Sequence, residues 1–210
     1  PQEAVTLVNV LDIQSVYDIR GAREVAANPE PTLPGVRMLA VEPRDGRKKR
    51  DAHSRLVHGV IGEYGAPEQR MCDNYRRYAS DYPLIGTVLR SIAAQGGPAL
   101  VHCKNGKDRT GVLCACALRI AGYSHDYIVA DYLTTNAINA QAIAREAADL
   151  SQGMTAEEHA ILMSFLEARE SYLEAFFDEA DKRYGSFEAY VLRGLKLTPE
   201  QSKRLREMLG

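Results

Sequence analysis

The chain has 210 residues, 45% of them hydrophobic, with 26 Lys+Arg against 28 Asp+Glu for a formal net charge of −2. That near-balance argues against a general polyanion binder, so no nucleic-acid partner is expected, and the apolar fraction suits one domain over residues 1–210. No apolar run is long enough to span a bilayer, so no integral membrane segment is expected.

The chain starts without Met on an apolar run, Val5 to Leu11, and the expectation is that residues upstream are missing. Ser15 to Arg20 reads as a strand ending in a turn at Gly21, and a second strand is predicted around Val36–Val41 after the Pro-rich turn Asn28–Pro31. Residues Pro43 to Arg55 have no apolar periodicity and carry Arg44, Arg47, Lys48, Lys49, Arg50 and Arg55. A solvated charged loop is the first reading; transient contact with an anionic membrane surface, or with a second phosphate on a substrate, is the other. Met71–Ser80 and Leu84–Ala94 have helical spacing, with Gly96-Gly97-Pro98 ending the second helix.

Next comes Pro98-Ala99-Leu100-Val101, a buried strand, then His102-Cys103-Lys104-Asn105-Gly106-Lys107-Asp108-Arg109-Thr110-Gly111. An apolar helical pattern follows at once, from Val112 to Leu118, with Gly122 placed to end that helix. Further helical segments begin at Ile128–Leu133 and cover Glu157–Ala168 and Ser171–Tyr184. Thr198-Pro199-Glu200-Gln201 pairs a cap residue with Pro at the first helical position and opens a last helix. Strands fall before residue 103 and helices after it. The expected architecture is α/β: a central, mostly parallel sheet flanked by helices, with extra C-terminal helices.

A strand, a tight polar loop and a helix N-terminus together make an anion site built from backbone amides. A cysteine there sits in a positive field that favours its thiolate. Cys103 is the candidate nucleophile, attacking a phosphate monoester to give a phosphocysteine that water then cleaves. Arg109 offers a planar fork of donors that matches two phosphate oxygens. Gly106 lets the backbone curl so that its amides converge. Thr110 can donate to the thiolate, and His102 orients the loop. The leaving oxygen needs a proton: Asp108 is the preferred general acid, with Asp45 and Asp51 of the basic loop as lid-borne alternatives. Lys104, Asn105 and Lys107 complete the candidate substrate-binding set. The two lysines either reach further phosphates or simply strengthen the loop's field. A Walker-type loop is excluded, because Asp follows Lys107 where Ser or Thr would be required.

His53, His58, His125 and His159 show no metal-ligand spacing, so no metal or other cofactor is expected. Cys114 and Cys116 lie two apart on a predicted helix, face different sides and read as core. So few cysteines suit a reducing compartment, and a cytoplasmic location is expected, with secretion lacking a visible signal as the alternative. Asp131 and Asn136 read as structural braces. The other classes that such a loop allows are a non-catalytic phosphate binder, a sulfur transferase and an arsenate reductase.

The segment His102–Gly111 resembles the signature loop of cysteine-dependent protein tyrosine phosphatases, His-Cys-x5-Arg-(Ser/Thr)-Gly. Its Gly-Lys-Asp-Arg-Thr-Gly ending is similar to one bacterial branch, the tyrosine phosphatases found in mycobacteria and Listeria. Val16–Arg20 with Glu24, Asp131-Tyr132-Leu133 with Asn136, Tyr172-Leu173, Tyr184-Gly185-Ser186, Tyr190 and Gly194-Leu195 extend the likeness over most of the chain. The resemblance implies a tyrosine phosphatase-like fold and a phosphoric monoester hydrolase acting on phosphotyrosine, and variously on phosphoserine/threonine and phosphoinositides. Two departures stand out. An upstream Arg-Asp-Leu-Gly-Gly-rich segment is absent, and Lys104 joins Lys107 as in the phosphoinositide 3-phosphatase tumour-suppressor family. That second departure makes a phosphoinositide or inositol-phosphate substrate the alternative to a phosphorylated protein. Asp108 before the arginine also resembles the myotubularin lipid phosphatases, which implies the general-acid role.

Overall fold

In the computed structural model of the chain, residues 6–41 and 66–210 are described. Three strands, β1 (Ser15–Asp18), β2 (Arg37–Ala40) and β3 (Ala99–His102), form a sheet in the order β2-β1-β3, with both pairings parallel. The central strand β1 is buried at every position, which is why its sequence does not alternate. Its one aromatic hydroxyl is satisfied: Tyr17 donates to Ser91 Oγ at 3.0 Å. Asp18 lies opposite Ala40 on one side and His102 on the other, so all three strands end at one level. That carboxyl edge is where parallel sheets bind ligands.

Helices cover the sheet: α1 (Ala22–Ala27), α2 (Gln69–Ser80), α3 (Leu84–Gln95), α4 (Asp108–Ala121), α5 (His125–Ile138), α6 (Ala140–Leu150), α7 (Ala156–Leu166), α8 (Glu170–Tyr184) and α9 (Pro199–Leu209). Between α8 and α9, the turn Phe187–Ala189 runs into a π-helical turn, Tyr190–Gly194. The fold is therefore α/β with added C-terminal helices, as the order of elements in the sequence implies. Local chemistry sets the boundaries. Gly122 ends α4 at φ 97°, and Thr198 Oγ1 accepts from Gln201 N (3.2 Å) while Gln201 Oε1 accepts from Thr198 N (3.0 Å) to start α9. One difference is informative: the turn at Gly21 is the start of a helix, α1.

Helix α8 packs along α2, and α9 lies against α3 and α4. Tyr75, Ile85, Leu89, Leu113, Tyr172, Phe176 and Tyr190 are fully buried within the single large core. The basic run and its Asp45 and Asp51 lie outside the described residues.

The end of β1 is fixed by a buried ion pair. Asp18 Oδ1 accepts from the Arg20 amide (3.0 Å) and from its Nε (2.9 Å), and Oδ2 accepts from Nη2 (2.8 Å). Arg20 also reaches Asn28 O (2.9 Å) and Glu30 Oε2 (2.7 Å), tying the strand end to the chain beyond α1. Burial pushes the Asp18 carboxyl up, but the hydrogen bonds and charge of Arg20 outweigh it and hold the group below the usual carboxylate range. A depressed folded pKa contributes stability above the unfolded value of about 3.9 and loses it as pH falls through the folded value. Asp18→Asn should therefore lower unfolding free energy by about 2 kcal/mol at pH 7, since breaking a buried pair strands the other charge. Urea titration at pH 7 and pH 3 checks this: the gap should be smaller at pH 3, and a gap of the same size at both pH values contradicts it.

Candidate active site

The loop between β3 and α4 emerges from the carboxyl edge of the sheet. Cys103 is buried at its base with 8% of its surface exposed; Lys104, Asn105 and Gly106 are exposed at its rim. Gly106 has φ 67°, the left-handed turn that lets the chain double back into α4. Among the described residues, the amides of residues 104–107 donate to no main-chain acceptor, and those of the first turn of α4 have no partner within the helix. The rim is steadied from outside, where Asn139 Nδ2 donates to Asn105 O at 3.1 Å.

Arg109 sits on the first turn of α4 and is gripped by Glu24. Its Nη1 donates to Oε2 at 2.7 Å and its Nη2 to Oε1 at 2.8 Å, a two-pronged pair, and Nη1 also reaches Ile19 O at 3.3 Å. The pair bridges two helix starts, because Glu24 Oε2 also accepts from the Gly21 amide (2.8 Å) and caps α1. The strand order makes the meeting possible: α1 follows β1, α4 follows β3, and those strands are neighbours. Burial pulls the Arg109 pKa down, but the Glu24 carboxylate and the charge of Cys103 hold it above its ordinary value. The guanidinium is thus permanently charged and fixed in plane beside the sulfur.

The loop's second half is held from behind. Lys107 has only 5% of its side chain exposed, and its Nζ donates to Phe165 O (2.5 Å) and Glu167 O (3.3 Å) at the end of α7. Those carbonyls are themselves positioned, since Asn136 accepts from the Ala168 amide (2.7 Å) and donates to its carbonyl (2.8 Å). Asp108 is half-buried; its Oδ1 accepts from the Tyr75 hydroxyl at 2.9 Å and lies 3.6 Å from Lys107 Nζ. Gly111 is required next to it, because a Cβ there would come within 2.8 Å of the Tyr132 ring.

A family model for the tyrosine phosphatase family matches residues 1–210. The chain belongs to the tyrosine phosphatase family. The triple specificity protein phosphatase PtpB of Mycobacterium tuberculosis is 31% identical over 229 aligned positions, covering 95% of this chain and 83% of the relative. A protein of Cupriavidus necator assigned by name as a tyrosine-protein phosphatase is 38% identical over 113 positions, 51% of this chain and 39% of that one. The chain is a cysteine-dependent phosphoric monoester hydrolase.

In this phosphatase the structure brings Cys103, Asp108, Arg109 and Thr110 to one loop and helix start. Thr110 Oγ1 is buried and without a hydrogen-bond partner among the described residues. Lys107, read from sequence either as reaching a further phosphate or as strengthening the loop's field, is nearly buried and gives its ammonium to carbonyls at the end of α7, while Lys104 is exposed at the rim. His102, expected to orient the loop, has Nδ1 3.3 Å from Cys103 O and Nε2 3.7 Å from Glu30 Oε2, so it links the loop to the Asp18–Arg20–Glu30 cluster.

Ligand atoms of Asp18, Glu30 and His102 lie within 4.8 Å of one another, as do those of the exposed His125, Glu170 and Glu174. In the first group, Arg20 already pairs with both carboxylates. The four cysteines are free thiols. Burial, with the charges of Asp131 and Cys103, pushes the Cys114 thiol up to about 11, and burial raises Cys116 as well. Both stay protonated and inert.

Glu24 was visible in sequence only as part of a familiar strand-and-turn pattern. No local signal pointed from it to Arg109, 85 residues away. Tyr75 and Tyr132 read as ordinary core positions of helices. Glu24→Gln keeps the side-chain size but removes the charge and the second oxygen. It should lower kcat/KM about 10–100-fold on every substrate alike, the scale expected when a phosphate clamp is slightly misplaced. Steady-state kinetics checks this, and an unchanged kcat/KM contradicts it.

Proposed function

We propose that this phosphatase hydrolyses phosphotyrosine in proteins, with phosphoserine and phosphothreonine as further substrates, by a two-step route through Cys103. The observation that carries the reading is the Cys103 sulfur at the base of a curled loop whose amides are uncommitted, beside an arginine locked in plane by Glu24. The Cys103 thiolate attacks phosphorus while Arg109 and the loop amides hold the equatorial oxygens, and Asp108 protonates the leaving oxygen. Asp108, now a carboxylate, takes a proton from the water that cleaves the phosphocysteine. Thr110 donates its uncommitted hydroxyl to the sulfur as it leaves. Asp45 and Asp51 remain the alternative acids. The extension to phosphoserine and phosphothreonine follows the relative named as a triple specificity phosphatase.

A phosphoinositide would need cationic groups at the rim for its additional phosphates. Lys104 is placed for one of them, and Lys107 is withdrawn, so the geometry favours a phosphorylated protein. Transient contact with a membrane surface would fall to the basic run, outside the described residues.

A substrate panel tests the proposal. Wild type should turn over phosphotyrosyl peptides with a higher kcat/KM than any phosphoinositide in mixed vesicles. Cys103→Ser should abolish turnover on all of them and retain binding of a phosphotyrosyl peptide. Lys104→Ala should leave peptide turnover within about 3-fold, as expected for an exposed, solvated charge. A preference for phosphoinositides that Lys104→Ala removes would replace the protein reading with the lipid one, and turnover by Cys103→Ser would overturn the mechanism.

A further inference from the structure

Behind Asp108 stands a short chain of hydroxyls. Tyr75 is fully buried, and its hydroxyl is 2.9 Å from Asp108 Oδ1 and 2.7 Å from the Tyr132 hydroxyl. Tyr132 is also buried. Each phenol has one proton to give, and a carboxylate can only accept. The carboxylate end therefore sets the direction: Tyr75 donates to Oδ1, and Tyr132 donates to Tyr75. Lys107 Nζ, 3.6 Å away, puts its positive charge on the same oxygen. The other oxygen, Oδ2, accepts no hydrogen bond among the described residues, and the Asp108 side chain is 31% exposed.

We propose that Tyr75 is a positioning residue for proton transfer: by donating to Oδ1 it makes that oxygen an acceptor only and assigns the transferable proton of Asp108 to Oδ2. This rests on the reading of Asp108 as the general acid. Placing the proton on Oδ1 would require Tyr75 to turn its own proton toward Tyr132, and Tyr132 to turn its proton away from Tyr75, where no other acceptor bonds it among the described residues. In the first step the sulfur–phosphorus bond forms, the bond from phosphorus to the leaving oxygen breaks, and the proton on Oδ2 moves to that oxygen. In the second, the water oxygen bonds to phosphorus, the sulfur–phosphorus bond breaks, and the water proton returns to Oδ2. Neither phenol gives up its proton in this cycle. Burial, and then the nearby Asp108 charge, hold both hydroxyls far above the ordinary tyrosine range. The ring of Tyr75 also packs against those of Tyr132 and Tyr172, which fixes where its hydroxyl points.

The test compares phenyl phosphate, a poor leaving group, with p-nitrophenyl phosphate, an activated one. Asp108→Asn should lose about 100-fold on phenyl phosphate and far less on p-nitrophenyl phosphate, the range expected for general-acid catalysis. Tyr75→Phe should lose about 10-fold on phenyl phosphate and under about 2-fold on p-nitrophenyl phosphate, the scale of one hydrogen bond. In the Asp108→Asn background, Tyr75→Phe should change neither rate further, because the two act as a unit. Tyr132→Phe, which leaves the Tyr75 contact with Oδ1 in place, should show the same selectivity at about 3-fold, and it carries the test if Tyr75→Phe does not fold. Equal losses on both substrates, or a further loss in the Asp108→Asn background, would overturn the role of Tyr75 while leaving Asp108 as the acid. No leaving-group dependence in Asp108→Asn would overturn the reading of Asp108 itself.

Discussion

The pair between Arg109 and Glu24 is the contact on which the site depends. It joins the helix that follows β1 to the helix that follows β3, and it does so at the level where the strands end. The guanidinium is largely buried, with 14% of its side chain exposed. Without a carboxylate partner it would be a stranded charge, costing several kcal/mol in a medium that solvates it poorly. With Glu24 in place the fork is held flat, and Glu24 is itself fixed because it caps α1. An arginine left to its own rotamers would have to be ordered anew with every phosphate bound; here the ordering is complete before substrate arrives.

The C-terminal helices do more than enlarge the core. The end of α7 supplies the carbonyls that hold Lys107, Asn136 on α5 holds Ala168 just beyond them, and Tyr75 on α2 meets both Asp108 and Tyr132. The catalytic loop is thus pinned at Lys107 and Asp108 by polar contacts from elements far apart in sequence. Lys107, Tyr75 and Tyr132 are buried in these contacts, and each has a polar partner, as low-dielectric interiors require. The network rigidifies the half of the loop that carries Asp108 and Arg109, while Lys104 to Gly106 remain exposed at the rim. The division is a physical one: fixed groups handle charge and protons at the reacting centre, and the exposed rim is left to meet the rest of the substrate.

Much of this was legible in the chain. The nucleophile loop could be read because its chemistry is local: Cys103, Gly106, Asp108 and Arg109 occupy one continuous stretch, and each residue type states its use. Helix ends at Gly122 and Thr198 could be read for the same reason. What could not be read depends on contacts between distant segments. Glu24 looks like a first-turn acid of a short helix until β1 and β3 are known to be neighbours. Lys107 looks like Lys104's twin in sequence, and only the position of α7 sends one inward and leaves the other at the surface. Tyr75 and Tyr132 fit helical core spacing well, and apolar periodicity carries no information about where a buried hydroxyl points. The short helix α1 reads as a turn in sequence because six residues opened by glycine give too little periodicity to register.

The claim at the centre is that Cys103 accepts the phosphoryl group that Arg109, fixed by Glu24, presents to it. The most direct measurement is rapid acid quench of the enzyme during turnover of an aryl phosphate, followed by mass spectrometry of its peptides. The account predicts a phosphoryl group on the sulfur of Cys103, accumulating to a smaller fraction when Glu24 is replaced by Gln. A phosphoryl group on another side chain, or turnover with no modified peptide at any quench time, would contradict it.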